Sequence, residues 1–160
     1  MNKRIAKEIH MARKSGEPKI FWTKDCPLMI YIHLDGVGIY EDQVHVLKLK
    51  FVWGPDEEHK FPMQPPLVKF KTPIWHPNIS TKGSICLDIL KEDEWTTNYG
   101  LASIVNSLQL LLLEPNCDSP FNNEAAAQYM EDMEIFSMTA KEFYSLSEKN
   151  DLILKKIEVF

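Results

Sequence analysis

Cys86 stands in the stretch HPNISTKGSICLDIL, residues 76–90, ten residues after His76 and two before Asp88. A cysteine in that company is a small buried hydrophobe, a metal ligand or a nucleophile. Free cysteine is among the most buried residue types, so the core is the ordinary place for an isolated one. The surroundings argue otherwise: Thr72 to Trp95 is irregular and rich in turn residues. Irregular backbone stays near the surface, where its polar groups find partners. A zinc site lacks a second soft ligand at ligand spacing, because Cys26, Cys86 and Cys117 form no C-x-x-C pair. His76 is a base by type, which gives a cysteine-hydrolase reading. Yet no third residue is evident to orient it, and it directly precedes Pro77 in a turn, which favours a structural hydrogen-bonding role. Asn78 has two roles open to it: its amide can stabilise an oxyanion, or it can order its own loop. Asp88 would share a face with Cys86 if the short stretch between them is extended; otherwise it is a solvated acid.

These residues need elements to hold them. NKRIAKEIHMARKS reads as an amphipathic helix with Ile5, Ile9 and Ala12 on one face. PLMIYIHL is strand-like. QVHVLKLKFVW alternates, with Leu47, Leu49, Phe51 and Trp53 on one side and Lys48 and Lys50 on the other. WGPDEEHK is a polar loop and LVKFK a further strand, while Gly83 suits a positive-φ turn. Leu101, Ile104, Val105, Leu108, Leu111 and Leu112 keep a helical period that Pro115 ends. NNEAAAQYM and EIFSMTAKEFYSL are two shorter helices, and the apolar tail DLILKKIEVF either packs on the body or continues the last one. Strands and helices are segregated, which predicts an α+β domain.

The 160 residues suit one domain. A content of 44% hydrophobic and 26% charged residues is that of an ordinary globular chain. No apolar run approaches a membrane span, and MNKRIAKEIH lacks the apolar centre of a signal peptide. An odd number of unpaired cysteines fits reduced thiols in the cytoplasm. The net charge of −5 argues against nucleic acid as a partner.

The stretch H-P-N, turn, G-x-I-C-L-D-I-L resembles the active-site segment of ubiquitin-conjugating enzymes. FPMQPPLVKF is similar to the proline turn and strand ahead of that segment, Trp95 to the tryptophan after it, LLLLEPNCDSPFNNEAA to the stretch beyond the central helix, and KRIAKEI to the first helix. The resemblance spans roughly residues 3 to 147. It implies the UBC fold, a four-stranded antiparallel meander with one helix before it and three after. Residues 1–150 would be the catalytic domain and 151–160 a short tail.

The resemblance implies that Cys86 carries ubiquitin, or a ubiquitin-like protein, as a thioester. Asn78 would stabilise the oxyanion, Asp88 would position the incoming lysine, and Ser119 would stand at the gate, where phosphorylation is conceivable because Pro120 follows. His76 and Pro77 would shape the site. No metal or cofactor is implied, because ATP is used by the activating enzyme. Lys3, Arg4 and Lys7 match the face that the family presents to the activating enzyme and to ligases; Pro62 and Met63 match one ligase-contact loop, and Thr97 lies in the other. Departures from the family pattern bear on partners: Met63 stands for a frequent phenylalanine, WTTNYG for the usual Trp-Ser-Pro, GVGIYEDQ is short and WGPDEEHK is long.

Within the family a ubiquitin carrier working with a ubiquitin ligase on substrate lysines is the leading expectation, in the cytoplasm and open to the nucleus. SLQLLLLEPN with NNEAA is also similar to NEDD8-conjugating enzymes, although their long N-terminal extension is missing. ILKEDEWT and EPNCDSP resemble the peroxisomal ubiquitin-conjugating enzyme, which would place the chain at the peroxisome surface. An inactive UBC-like binding module is the alternative from another class, and the intact SICLD argues against it.

Overall fold

The structure, a computed structural model, describes residues 3–22, 28–51 and 60–146. Trp53, Cys26, most of the WGPDEEHK loop and the tail from residue 147 lie outside the described residues.

The first helix, α1 (Lys3–Ser15), buries Ile5, Ile9 and Ala12, the three residues that the helical period selects. Full burial of an isoleucine side chain stabilises by about 1.5–3 kcal/mol, so this stripe is what docks the helix. Four strands follow in the order β1 (Lys19–Trp22), β2 (Met29–Asp35), β3 (Val44–Lys50) and β4 (Leu67–Phe70), each antiparallel to its neighbour. The meander is the expected one. Four residues are too few to display a period, so β1 is defined by its pairing, from Lys19 opposite His33 to Trp22 opposite Ile30.

The strict alternation read in β3 holds from Leu47 to Lys50 but not before it, where His45 and Val46 are both buried. His45 faces inward with Leu47 and Leu49. A long-range clip closes this end of the strand. The Tyr144 hydroxyl donates to the Val44 carbonyl at 3.1 Å and accepts the Val44 N–H at 3.0 Å, and its ring stands edge-on to His45 with centroids 5.2 Å apart.

After the sheet come α2 (Leu101–Leu113), α3 (Asn123–Glu131) and α4 (Met133–Ser145). The inner stripe of α2 is Leu101, Ile104, Leu108 and Leu112, and the helix stops just ahead of Pro115, whose ring disfavours helical backbone in the residue before it. Asn122 caps α3 by accepting from Ala125 N–H, and Asp132 caps α4 by accepting from Glu134 and Ile135 N–H. No helix among the described residues is long and apolar enough to cross a membrane.

Candidate active site

The segment between β4 and α2 is held by backbone bonds. Gly83 has φ +83, and a Cβ there would run into the Phe70 carbonyl oxygen. Glycine is therefore required for the close approach in which Phe70 N–H donates to the Gly83 carbonyl at 2.9 Å. Ser80 N–H donates to Ser84 O at 2.8 Å and Cys86 N–H to Asn78 O at 2.9 Å, which lays the cysteine back alongside the asparagine. Pro77 offers its carbonyl to two donors, Phe121 N–H at 2.8 Å and Asn122 N–H at 3.0 Å. The loop after α2 is thereby fastened to the turn that carries His76 and Asn78.

His76 is fully buried. Its Nδ1 accepts the Asn78 N–H at 3.0 Å, so its Nε2 carries the proton and donates to the Leu111 carbonyl at 2.9 Å. Burial pushes its pKa down to about 4, leaving a neutral ring with both nitrogens engaged at neutral pH. It has no lone pair to offer Cys86, and the hydrolase reading has no base.

Asn78 is buried with its amide turned to the loop after α2. Nδ2 donates to Asn116 O at 2.6 Å, and Oδ1 accepts Asn116 N–H at 2.8 Å. This geometry is that of loop ordering; it leaves the second Nδ2 hydrogen for another acceptor.

Cys86 is half-buried and opens on a groove of about 290 Å³ whose lining includes Asn78, Asp88, Lys91, Leu110 and Ser119. The stretch after the cysteine is not extended throughout. Leu87 is, at φ −137 and ψ 124, but Asp88 begins a single 3-10 turn, Asp88–Leu90. Asp88 reaches the groove through that turn and not through strand alternation. The turn also brings round Lys91, whose ammonium meets the Asp88 carboxylate at 2.6 Å. Ser119 is exposed at the groove's margin. Among the described residues no three His, Cys, Asp or Glu side chains gather as a metal site would need.

The expected partner residues fall on one connected surface. Trp95 is buried and its Nε1 donates to the Pro62 carbonyl at 2.8 Å, tying the Met63 loop to the segment that carries Thr97. Arg4 donates to Thr97 O at 3.0 Å and Tyr99 O at 3.2 Å and pairs with Glu8 at 2.7 Å. Glu8 in turn accepts the Leu101 N–H at 3.0 Å, placing a carboxylate at the positive end of α2. Arg4 thus serves the fold's own loop, while Lys3, Lys7, Met63 and Thr97 are exposed.

Sequence reading alone misses Asn116, because the partner of Asn78 lies 38 positions away with no local signal. It also passes over Lys91, although the i, i+3 spacing from Asp88 was a usable one.

The family model described as "Ubiquitin-conjugating enzyme" matches residues 4–144. The "Ubiquitin-conjugating enzyme E2-20 kDa" of Schizosaccharomyces pombe is 36% identical over 132 residues, covering 82% of this chain and 74% of that protein. The "Ubiquitin-conjugating enzyme E2 2" of Eremothecium gossypii is 42% identical over 113 residues, 71% of this chain and 62% of that one. The "Ubiquitin-conjugating enzyme E2 T" of Mus musculus is 31% identical over 147 residues, 88% and 69%. A half-open cysteine on a backbone-braced turn, in a four-stranded meander flanked by four helices, agrees with these matches: the chain belongs to the ubiquitin-conjugating enzyme family.

Proposed function

We propose that this protein accepts ubiquitin from an activating enzyme as a thioester on Cys86 and passes it, with a ubiquitin ligase, to a substrate lysine. The observation that carries the reading is Cys86 itself, half-exposed in a groove with an acid and an amide and without a base or a metal cluster among the described residues. Such a thiol suits carriage rather than hydrolysis. Its sulfur attacks the modifier's C-terminal glycine carbonyl on the activating enzyme; a carbon–sulfur bond forms, the previous one breaks, and the proton of Cys86 ends on the released thiol. A lysine Nζ then attacks the same carbon, Cys86 leaves as thiolate, and the amine sheds its proton to Asp88 or solvent. The second Nδ2 hydrogen of Asn78 stabilises the oxyanion between these states, and Ser119 shapes the mouth of the groove. ATP is spent by the activating enzyme, so the carrier needs no cofactor of its own. Lys3 and Lys7 face the activating enzyme, and the bridged Pro62–Met63 and Thr97 loops face the ligase. The relatives' names favour ubiquitin as the modifier.

The test is a charging assay with activating enzyme and ATP, with ubiquitin and NEDD8 in parallel. A reducing-agent-labile adduct should form with ubiquitin, survive Cys26→Ala and Cys117→Ala, and vanish in Cys86→Ala. An adduct that persists in Cys86→Ala removes the cysteine from its role; preferential charging with NEDD8 overturns the choice of modifier.

A further inference from the structure

The outer face of the sheet carries a band of lysines. Ile20, Ile32, Leu47 and Phe70 point into the core, so the residues between them point out. Lys48 stands directly opposite Lys69, and Lys50 lies two residues along β3 from Lys48. Lys71 extends the ladder one step past β4, because its N–H donates to the Val46 carbonyl at 2.7 Å. Lys50, Lys48, Lys69 and Lys71 therefore run diagonally across two strands at backbone intervals of about 5 to 7 Å. None of the four has an ion-pair partner among the described residues. The strands hold a single acid, Asp35, at the far end of β2. Like charges directly opposite one another are destabilising, so the fold keeps this band at a cost. Beside it stand three half-buried rings: Tyr31 next to Lys48, Phe21 opposite Tyr31, and His33, whose ring centroid lies 4.3 Å from that of Phe21. None of these residues lines the Cys86 groove.

The geometry points to this face as a binding site for single-stranded nucleic acid, with phosphates on the lysine band and bases on the rings. The proposal stands apart from the thioester reading of Cys86. A net charge of −5 averages over the whole chain and conceals a face whose centre is cationic. The backbone groups of β2 and β3 are used in the ladders, so the face offers a ligand no strand to pair with. It offers ammonium groups and planar rings instead. Those are the two chemistries that take up the phosphates and the base planes of a single strand. An anionic membrane would need apolar side chains that insert, whereas these rings lie half-buried in the face. An acidic peptide would meet the lysines and leave the rings unused. A strand held here leaves the Cys86 groove open, which would direct transfer to proteins assembled on the same nucleic acid.

The experiment titrates the full chain into a fluorescent single-stranded DNA of about 12 nucleotides, read by anisotropy over a series of salt concentrations. Four phosphate contacts predict that log K falls with log salt at a slope of about −3. Lys48→Gln with Lys69→Gln should bring the slope to about −1.5. The same double variant should melt no lower than the parent, because it removes a cross-strand repulsion. Tyr31→Leu should weaken binding roughly 5- to 100-fold at an unchanged slope, and Tyr31→Phe should restore it. Lys141→Gln, on α4, should change nothing. No salt-dependent binding, or a slope that the double variant leaves in place, would overturn the site. Undiminished binding by Tyr31→Leu, or equal affinity for the matching duplex, would overturn the role of the rings and the single strand with it. Polyglutamate or phosphatidylserine vesicles bound more tightly than the oligonucleotide would replace the nucleic acid with an acidic peptide or a membrane, and would likewise overturn the proposal.

Discussion

The side-chain amide of Asn78 is bonded at both ends to the backbone of Asn116, at 2.6 and 2.8 Å. One residue thus joins the turn before Cys86 to the loop after α2, and its two proposed roles share a single side chain. Asn78→Ala should therefore do two things. Loss of the pair strands two backbone groups, at a cost of about 1–3 kcal/mol in unfolding free energy. Loss of the donor should slow discharge onto lysine by roughly 100- to 1000-fold, well beyond its effect on charging. Denaturant melts and single-turnover discharge on the same protein separate the two. A variant with wild-type stability and wild-type discharge removes both roles.

Acid should unfold this protein in a window set by two histidines. His45 and His76 have an ordinary value of 6.5, and burial lowers each to about 4 in the fold. As pH falls below about 6.5 the unfolded chain takes up protons that the folded one refuses, so stability is full above that value and drains away down to about pH 4. The combined loss is on the order of a few kcal/mol. His45→Phe should flatten the slope, because Nε2 of His45 has no hydrogen-bond partner and the site is walled by Tyr40, Phe70 and Tyr144. Urea midpoints across this range that leave the variant's slope unchanged would exclude His45 as a contributor.

Two glycines offer a graded test of the scaffold. A Cβ at Gly83 meets backbone that cannot yield, at positive φ; at Gly100 it meets the end of the Glu8 side chain, which can swing away. Gly83→Ala should be the costlier change, by more than the ~1 kcal/mol of left-handed strain alone. Gly100→Ala should cost less and act through the displaced Glu8 carboxylate. Thermal melts showing the reverse order would contradict the packing at both sites.

Charge at the groove's margin should tune the incoming amine. Ser119→Asp adds a carboxylate to a groove that already holds Asp88. An anion near an ammonium favours its charged form, so the midpoint of discharge onto free lysine should move to higher pH. Discharge of equally charged proteins over roughly pH 6 to 10 reads the shift, and superimposable profiles would exclude Ser119 from contact with the amine.

Arg4 and its helical neighbours should separate under mutation. Lys3→Glu and Lys7→Glu, both exposed, should slow charging in a salt-sensitive way and leave the melt in place. Arg4→Ala should lower the melting temperature as well, because it releases the Thr97 and Tyr99 carbonyls. Equal melts for all three variants would mean that Arg4 does not brace the loop.

Much of this was legible in the chain. The stripes of α1 and α2 follow from a 3.6-residue period, Gly83 from the turn that needs it, and the Cys86 segment from its long spaced motif. What stayed hidden depends on residues far apart in sequence. The strand β1 exists by pairing with β2, the inward-facing His45 packs against Tyr144 from the last helix, and the asparagine clamp depends on Asn116. Strand alternation would put Asp88 on the face of Cys86 only if the stretch between them is extended throughout; a 3-10 turn instead delivers it to the groove with Lys91 attached.

The turn that presents Cys86 is stitched largely by main chain to main chain, through Asn78 O, the Ser80–Ser84 pair, the Phe70–Gly83 pair and the doubly used Pro77 carbonyl. Such stitching is indifferent to most side chains. Rim side chains can therefore be substituted without moving the Cys86 sulfur, because what holds its backbone does not pass through them. Met63 and Thr97 are exposed on that rim, whereas Trp95 of the same WTTNYG segment is buried and bonded to the Pro62 carbonyl.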